Sequence, residues 1–122
     1  MTKTILTVDD SASVRQMVRM TLSGAGYRVL EAVDGAEGLA KATSETVDAV
    51  ITDLNMPNMN GLDFIRSFRR HPSSTGVPIV LLTTESDDEL KRQAREAGAI
   101  GWMVKPFRQD QLLAIVRKVA GQ

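Results

Sequence analysis

Apolar residues along this chain follow two rhythms, short continuous runs and longer stretches with helical spacing, and the two alternate from end to end. The runs are Thr4 to Val8, Val29 to Val33, Val47 to Thr52, Ile79 to Leu82 and Ile100 to Val104. Their shortness and near-continuous hydrophobicity predict strands, and the segment from Val47 to Thr52 in particular reads as a strand covered on both faces. Between the runs, Val14, Met17, Val18, Leu22 and Ala25 recur every three or four residues, as do Leu62, Ile65 and Phe68. Leu90, Ala94 and Ala97 form a thinner stripe, and Leu112, Ile115, Val116 and Val119 a fuller one. Each such stripe predicts a helix with one buried face. A further helix after Asp34 would bury Ala36, Leu39, Ala40 and Thr43.

Local punctuation agrees with that division. Ser13 with Gln16, Asp34 with Glu37 and Ser86 with Glu89 stand at capping-box spacing. Gly24 and Gly26 suit a helix end, and His71-Pro72-Ser73-Ser74 closes the helix that carries Phe68. Five strand–helix repeats with no linker or low-complexity tract predict an α/β fold. The economical form is a doubly wound (βα)5 parallel sheet of five strands with helices on both faces, one domain over residues 1–122.

Composition narrows the function. Fifteen Lys and Arg balance fifteen Asp and Glu, so no general basic field invites nucleic acid. At 122 residues the chain leaves no room beside this domain for a DNA-binding module. Without Cys there is no disulfide, thiol nucleophile or thiolate metal site. Ile5 to Val8 is too short for a signal-peptide core, and no run reaches the roughly 20 apolar residues of a membrane span. The expectation is a cytoplasmic protein without membrane insertion.

The runs share one further property, a polar residue at the C-terminal end. Asp9 and Asp10 follow the run from Thr4, Asp53 that from Val47, Thr83 that from Ile79 and Lys105 that from Ile100. In a parallel sheet those ends share the edge where open α/β folds bind their ligands. Asp9 and Asp10 alone also fit an Asx turn or a helix cap, and Asp53 alone fits the start of a loop. Together they read differently, because two carboxylates about 5 Å apart repel by roughly 3 kcal/mol at an effective dielectric near 20. Such a cluster calls for a cation. Mg²⁺ fits a set of carboxylates that leaves room for water and phosphate. A carboxylate can itself accept a phosphoryl group, and a hydroxyl and an ammonium supply the fixed donors that such a transfer needs.

Asp9-Asp10, then Asp53-Leu54-Asn55-Met56-Pro57-Asn58-Met59-Asn60-Gly61, then Thr83-Thr84-Glu85, then Lys105-Pro106-Phe107 resemble the receiver domain of two-component response regulators. Within that family the likeness is to the CheY-like stand-alone chemotaxis regulators, over the whole chain. The resemblance implies a flavodoxin-like sheet of order 2-1-3-4-5. It implies Asp53 as phosphoacceptor and Asp10 as a direct Mg²⁺ ligand, with Asp9 acting through water or as an orienting acid. Asn55 would give its backbone carbonyl to the metal. Thr83 would bond a phosphoryl oxygen, and Lys105 would pair with the phosphoryl group or with Asp53, next to a cis Lys105–Pro106 peptide.

Trp102 occupies the place of an aromatic residue that turns inward when Thr83 moves, and it is bulkier than the usual Tyr or Phe. Thr84 is larger than the Ala of familiar chemotaxis regulators and narrows the path for that movement. Asn55 and Glu85 flank the route of hydrolytic water, which implies a short-lived phosphoryl state. The implied partners are a CheA-like histidine kinase and a flagellar switch protein or phosphatase, with the chain acting as a monomer and catalysing only its own phosphorylation and dephosphorylation. The output face would be the fourth helix, fifth strand and fifth helix, including Lys91, Arg95, Trp102 and Lys118. Asp87, Asp88 and Lys91 depart from the basic and apolar residues of the enteric chemotaxis type.

Other roles fit the same residues less fully. A phosphate sink or an adaptor for another kinase needs the same chemistry. Phosphatases with an aspartyl nucleophile carry Asp-x-Asp on their first strand, whereas Asp53-Leu54-Asn55 falls on the third. A flavin carrier needs a phosphate loop of small hydroxyl and Gly residues, where Asp9 and Asp10 would repel phosphate. His71, the sole histidine, reads as a surface residue at a helix end. Met17, Met20, Met56 and Met59 read as core and loop packing, and Arg66, Arg69 and Arg70 as a solvated helix face.

Overall fold

The computed structural model describes residues 2–121, so the domain bounds 1–122 include two terminal residues, Met1 and Gln122, outside the described set. Five parallel strands form one sheet: β1 (Thr4–Val8), β2 (Arg28–Ala32), β3 (Ala49–Asp53), β4 (Ile79–Thr83) and β5 (Gly101–Val104). Their order is β2-β1-β3-β4-β5, as the resemblance implies. The helices are α1 (Ala12–Gly24), α2 (Gly35–Ser44), α3 (Gly61–Arg69), α4 (Asp88–Ala97) and α5 (Gln109–Ala120), with a 3₁₀ turn at Pro72–Ser74.

Alternation along the strands builds two cores. Leu6, Val8, Val50, Ile79 and Leu81 pack with Ala42, Phe64, Phe68 and Ala94, under α2, α3 and α4. Ile5, Ile51, Val80, Leu82 and Met103 face the other way and pack with Val18, Leu22, Leu112 and Val116, under α1 and α5. The inner strands β1, β3 and β4 are buried at every position, as continuous apolar runs require.

Several boundaries and faces differ from the sequence reading. β3 starts at Ala49, although the Asp48 N–H already bonds the Thr4 carbonyl of β1 at 2.7 Å. α1 is capped by Ser11, whose hydroxyl accepts from the Val14 N–H at 3.3 Å, so Ser13 is the second helical residue. α4 is capped by Asp87, whose carboxylate takes the N–H groups of Glu89 and Leu90, and Ser86 lies before it. Asp34 caps α2 as expected.

α2 buries Gly35, Gly38 and Ala42, while Ala36 and Ala40 are exposed and Leu39 and Thr43 half-buried. Its glycines let the helix approach the sheet: a Cβ on Gly38 would lie 2.9 Å from Val8 Cγ2. Met20 is 63% exposed and packs no core, while Met56 and Met59 lie against the first core as expected. Arg66 and Arg70 are exposed, but Arg69 is not a solvated residue. Its guanidinium bonds the carbonyls of Ser74, Val77 and Gly98, which burial against α3, β4 and α4 brings within reach.

Candidate functional site

Strand register gathers the polar strand ends. Val8 pairs with Thr52, so Asp9 stands level with Asp53. Asp53 pairs with Leu82, which puts Thr83 one step beyond it, and Thr83 pairs with Val104, which puts Lys105 one step further. Carboxylate oxygens of Asp9, Asp10 and Asp53 lie within 4.8 Å of one another. Asp9 and Asp53 are buried and Asp10 is exposed, so the cluster opens toward solvent on one side. A set of hard oxygen donors with an open side suits Mg²⁺, which keeps several of its waters.

Charge in the cluster is partly offset by Lys105. Its Nζ lies 2.9 Å from Asp9 Oδ2 and 3.1 Å from Asp53 Oδ1. Burial and the neighbouring Asp9 charge raise the Asp53 pKa above the usual carboxylate range, against the pull of Lys105 and the Leu54 N–H. Burial works against the Lys105 ammonium, yet its bond to Asp9 and the two carboxylate charges hold it above an ordinary lysine. The Leu54 N–H also donates to Asp53 Oδ1 at 2.9 Å. Asp53 Oδ2 takes no hydrogen bond among the described residues, so one oxygen is fixed and the other is available.

The Thr83 hydroxyl accepts from the Glu85 N–H at 3.0 Å, which leaves its proton to donate. The Lys105 N–H bonds the Thr83 carbonyl at 2.7 Å, tying the two strand ends together, and the Lys105–Pro106 peptide is cis. Asn55 is exposed two residues past Asp53, and Thr84 and Glu85 are exposed beside Thr83. The loop carrying Asn55 is held at both ends. The Gly61 N–H bonds the Leu54 carbonyl at 2.8 Å, and Asn58, with φ of 69°, donates to Asp34 Oδ2 at 2.8 Å.

Residues 5–117 match the family model described as the response regulator receiver domain. The chain belongs to the response regulator receiver family. The receiver is 39% identical to the chemotaxis protein CheY1 of Helicobacter pylori, over 96% of each chain. It is 33% identical to the phosphate regulon regulator PhoB of Pseudomonas aeruginosa, over 96% of this chain and 51% of PhoB. It thus spans about half the length of several curated relatives it matches, the DNA-binding regulator MtrA of Mycobacterium tuberculosis among them. Among solved structures, the chemotaxis protein CheY4 of Vibrio cholerae superposes with a TM-score of 0.94 at 44% identity, covering 98% of this chain and 99% of that one. The receiver domain of a sensor histidine kinase from Pseudomonas aeruginosa, solved with magnesium in its active site cleft, gives 0.90 at 26% identity over both full chains. Receivers accept phosphoryl groups from histidine kinases and act as signalling switches. In this receiver, no helix among the described residues is long and apolar enough to cross a membrane.

Away from the acidic cluster, Lys91, Ala94 and Arg95 of α4 and Ile100 and Trp102 beside them line a cavity of about 110 Å³. Lys91 Nζ sits 5.7 Å from the Trp102 ring centroid, and the ring packs against the first core with its indole N–H buried and without a hydrogen-bond partner among the described residues. Lys118 is exposed on α5. His71 is exposed as expected, its Nδ1 beside Ser73 Oγ at 2.8 Å. Arg15 went unread in the sequence. Its Nη1 donates to the Asp9 carbonyl at 2.6 Å, and its Nε lies 3.4 Å from Glu31 Oε1. Both acceptors are brought to it only by the fold, and no spacing in the chain announces them.

Proposed function

We propose that this receiver is a phosphorylation switch in which Asp53 accepts a phosphoryl group from a CheA-like histidine kinase. The observation that carries this reading is the division of labour at Asp53, with Oδ1 held by the Leu54 N–H and Lys105 and Oδ2 left without a protein partner. A carboxylate held by one oxygen presents the other to phosphorus in a fixed direction. Oδ2 forms the new P–O bond as the bond from phosphorus to the donor imidazole nitrogen breaks, its electron pair leaving with the nitrogen. Asp10, Asp9, Asp53 and the Asn55 carbonyl would hold Mg²⁺, which when bound would neutralise the phosphoryl oxygens. Magnesium in the active site cleft of the related kinase receiver supports a metal at this site.

Lys105, already between Asp9 and Asp53, exchanges a carboxylate contact for a phosphoryl oxygen. Thr83 donates its free hydroxyl proton to another. Movement of Thr83 carries α4 and Trp102 with it and alters the face formed by Lys91, Arg95, Trp102 and Lys118. Exposed Asn55 and Glu85 leave the phosphoryl group open to water, so the state is short-lived, and the receiver catalyses only its own phosphorylation and dephosphorylation. The full-length likeness to CheY1 and CheY4 favours a cytoplasmic, monomeric chemotaxis regulator. Asp87 and Asp88 at the head of α4 favour a partner other than the enteric flagellar switch protein.

Intact-mass measurement with Mg²⁺ and a small acyl phosphate tests the chemistry. One phosphoryl group should appear on the native chain and none on Asp53→Asn. A native chain that gains no mass overturns the reading.

A further inference from the structure

Helix α4 is fastened at one end. From the last turn of α3, Arg69 Nε and Nη2 reach the Gly98 carbonyl at 3.2 and 2.8 Å. The same guanidinium donates to the carbonyls of Ser74 and Val77, at 2.7 Å each. Four bonds thus join the end of α3, the 3₁₀ turn, the approach to β4 and the C-cap of α4. Arg69 has no carboxylate partner among the described residues, so the guanidinium is committed to main-chain acceptors. Gly98 makes room for it. Its φ is 119°, and a Cβ there would lie 2.7 Å from Arg69 Nε. Ala94, Ala97 and Ala99 are buried around the same end.

The opposite end rests on the core through Leu90 and meets Trp102 through Lys91, but its hydrogen bonds are local. Residues 84–89 are exposed, and Leu90 is half-buried. Asp87 caps the helix from within, and Arg92 pairs with Glu89 and Glu96 along it. Among the described residues, no side chain of 84–89 bonds beyond α4 and its own cap. Only Thr84, Glu85 and Ser86 separate Thr83 from that loose end.

We infer that Arg69 is a positioning residue that fixes the C-terminal end of α4 as a pivot, leaving the end next to Thr83 free to swing. Bonds to three separate main-chain segments make local opening of the C-terminal half rarer than opening of the N-terminal half. A shift at Thr83 then tilts α4 about Gly98 instead of sliding it. The tilt moves Lys91 relative to Trp102, and so reshapes the cavity between α4 and β5. The part played by phosphorylation rests on the proposed function, whereas the anchor does not.

Residue-resolved native-state hydrogen exchange on the unphosphorylated, metal-free chain tests the anchor. The amides of Glu96, Ala97 and Gly98 should be at least tenfold more protected than those of Lys91, Arg92 and Gln93. Arg69→Met, which keeps the apolar stem, should erase that difference while α1 and α5 keep their relative protection. Arg69→Lys, unable to serve three carbonyls at once, should do the same and serves if the Met variant does not fold. Equal protection at both ends, or a difference that survives both variants, overturns the pivot. In a second arm, phosphorylation confirmed by mass at Asp53 should raise exchange in residues 84–93 and leave 96–99 unchanged. A change spread over all of α4 also overturns it. Absence of the phosphoryl mass removes the proposed function and leaves the first arm to decide the anchor.

Discussion

Lys105 Nζ and Asp53 Oδ1 lie 3.1 Å apart, so the ammonium occupies the negative field that a metal ion would otherwise feel alone. A unit charge some 5 Å away is worth roughly 3 kcal/mol at an effective dielectric near 20, less after solvent screening. Lys105→Met should therefore tighten Mg²⁺ binding about tenfold at low salt while slowing phosphorylation of Asp53. Calorimetric titration and a timed mass assay read the two effects separately. Weaker metal binding in the variant would show that Lys105 organises the cluster more than it competes with the cation.

The raised pKa of Asp53 carries a stability consequence. Its folded-state value lies above the ordinary 3.8, through burial and the Asp9 charge, so the folded chain holds that proton more tightly than the unfolded chain does. Ionised Asp53 thus destabilises the fold above the raised value, and the penalty is absent below 3.8. In metal-free buffer at pH 7, Asp53→Asn should have a higher urea midpoint than the native chain. The advantage should shrink as pH falls through the raised value. Equal midpoints at pH 7 would contradict the burial of a carboxylate charge that Lys105 and the Leu54 N–H only partly compensate.

Much of this site was legible because strand register is nearly a property of the hydrophobic pattern. Once five runs are strands in the order of the family, Asp9, Asp53, Thr83 and Lys105 have little choice of neighbours. Caps were less legible. Ser13 stood at capping-box spacing, yet the cap is Ser11, and the decision lies in where the backbone leaves β1, with the Ser11 N–H bound to Asp9 Oδ1 at 2.9 Å. The buried face of α2 was misread because glycine has no hydropathic signal, yet Gly38 is what admits the helix to Val8 of the sheet and Gly35 what admits the loop at Met59. Arg15 and Arg69 were invisible for a related reason. Their acceptors are main-chain carbonyls, near in sequence for Asp9 and Ser74 and distant for Gly98, and a carbonyl looks the same at every residue.

Trp102 buries an indole N–H with no partner, which typically costs about 1–3 kcal/mol. Phe keeps most of the ring packing and removes the orphan donor. Trp102→Phe should leave stability unchanged or raise it by about 1 kcal/mol, although it weakens the cation–π contact with Lys91. Trp102→Ala should lose about 2–4 kcal/mol. Chemical denaturation of both variants gives the comparison. A large loss in the Phe variant would mean that the N–H is satisfied, and that the ring is set by polar contact instead of by packing.

Gly61 is where the loop after Asp53 turns back on itself. A Cβ at this position would stand 2.2 Å from the Asp53 carbonyl oxygen and 3.0 Å from Leu54 Cα, both main-chain atoms that no rotamer change can move aside. Gly61→Ala should lose about 2–3 kcal/mol, as overpacking against rigid neighbours does. It should also weaken Mg²⁺ binding, because the displaced segment carries Asp53 and Asn55. Gly24 supplies the control. It closes α1 with nothing within 4 Å of its would-be Cβ, so Gly24→Ala should stabilise by about 0.5–1 kcal/mol through the unfolded chain alone. Urea denaturation with and without Mg²⁺ separates the two cases. Gly24→Ala should shift stability equally in both buffers, whereas Gly61→Ala should lose more when the metal is present. Equal losses for Gly61→Ala in the two buffers would detach the turn at Gly61 from the acidic cluster.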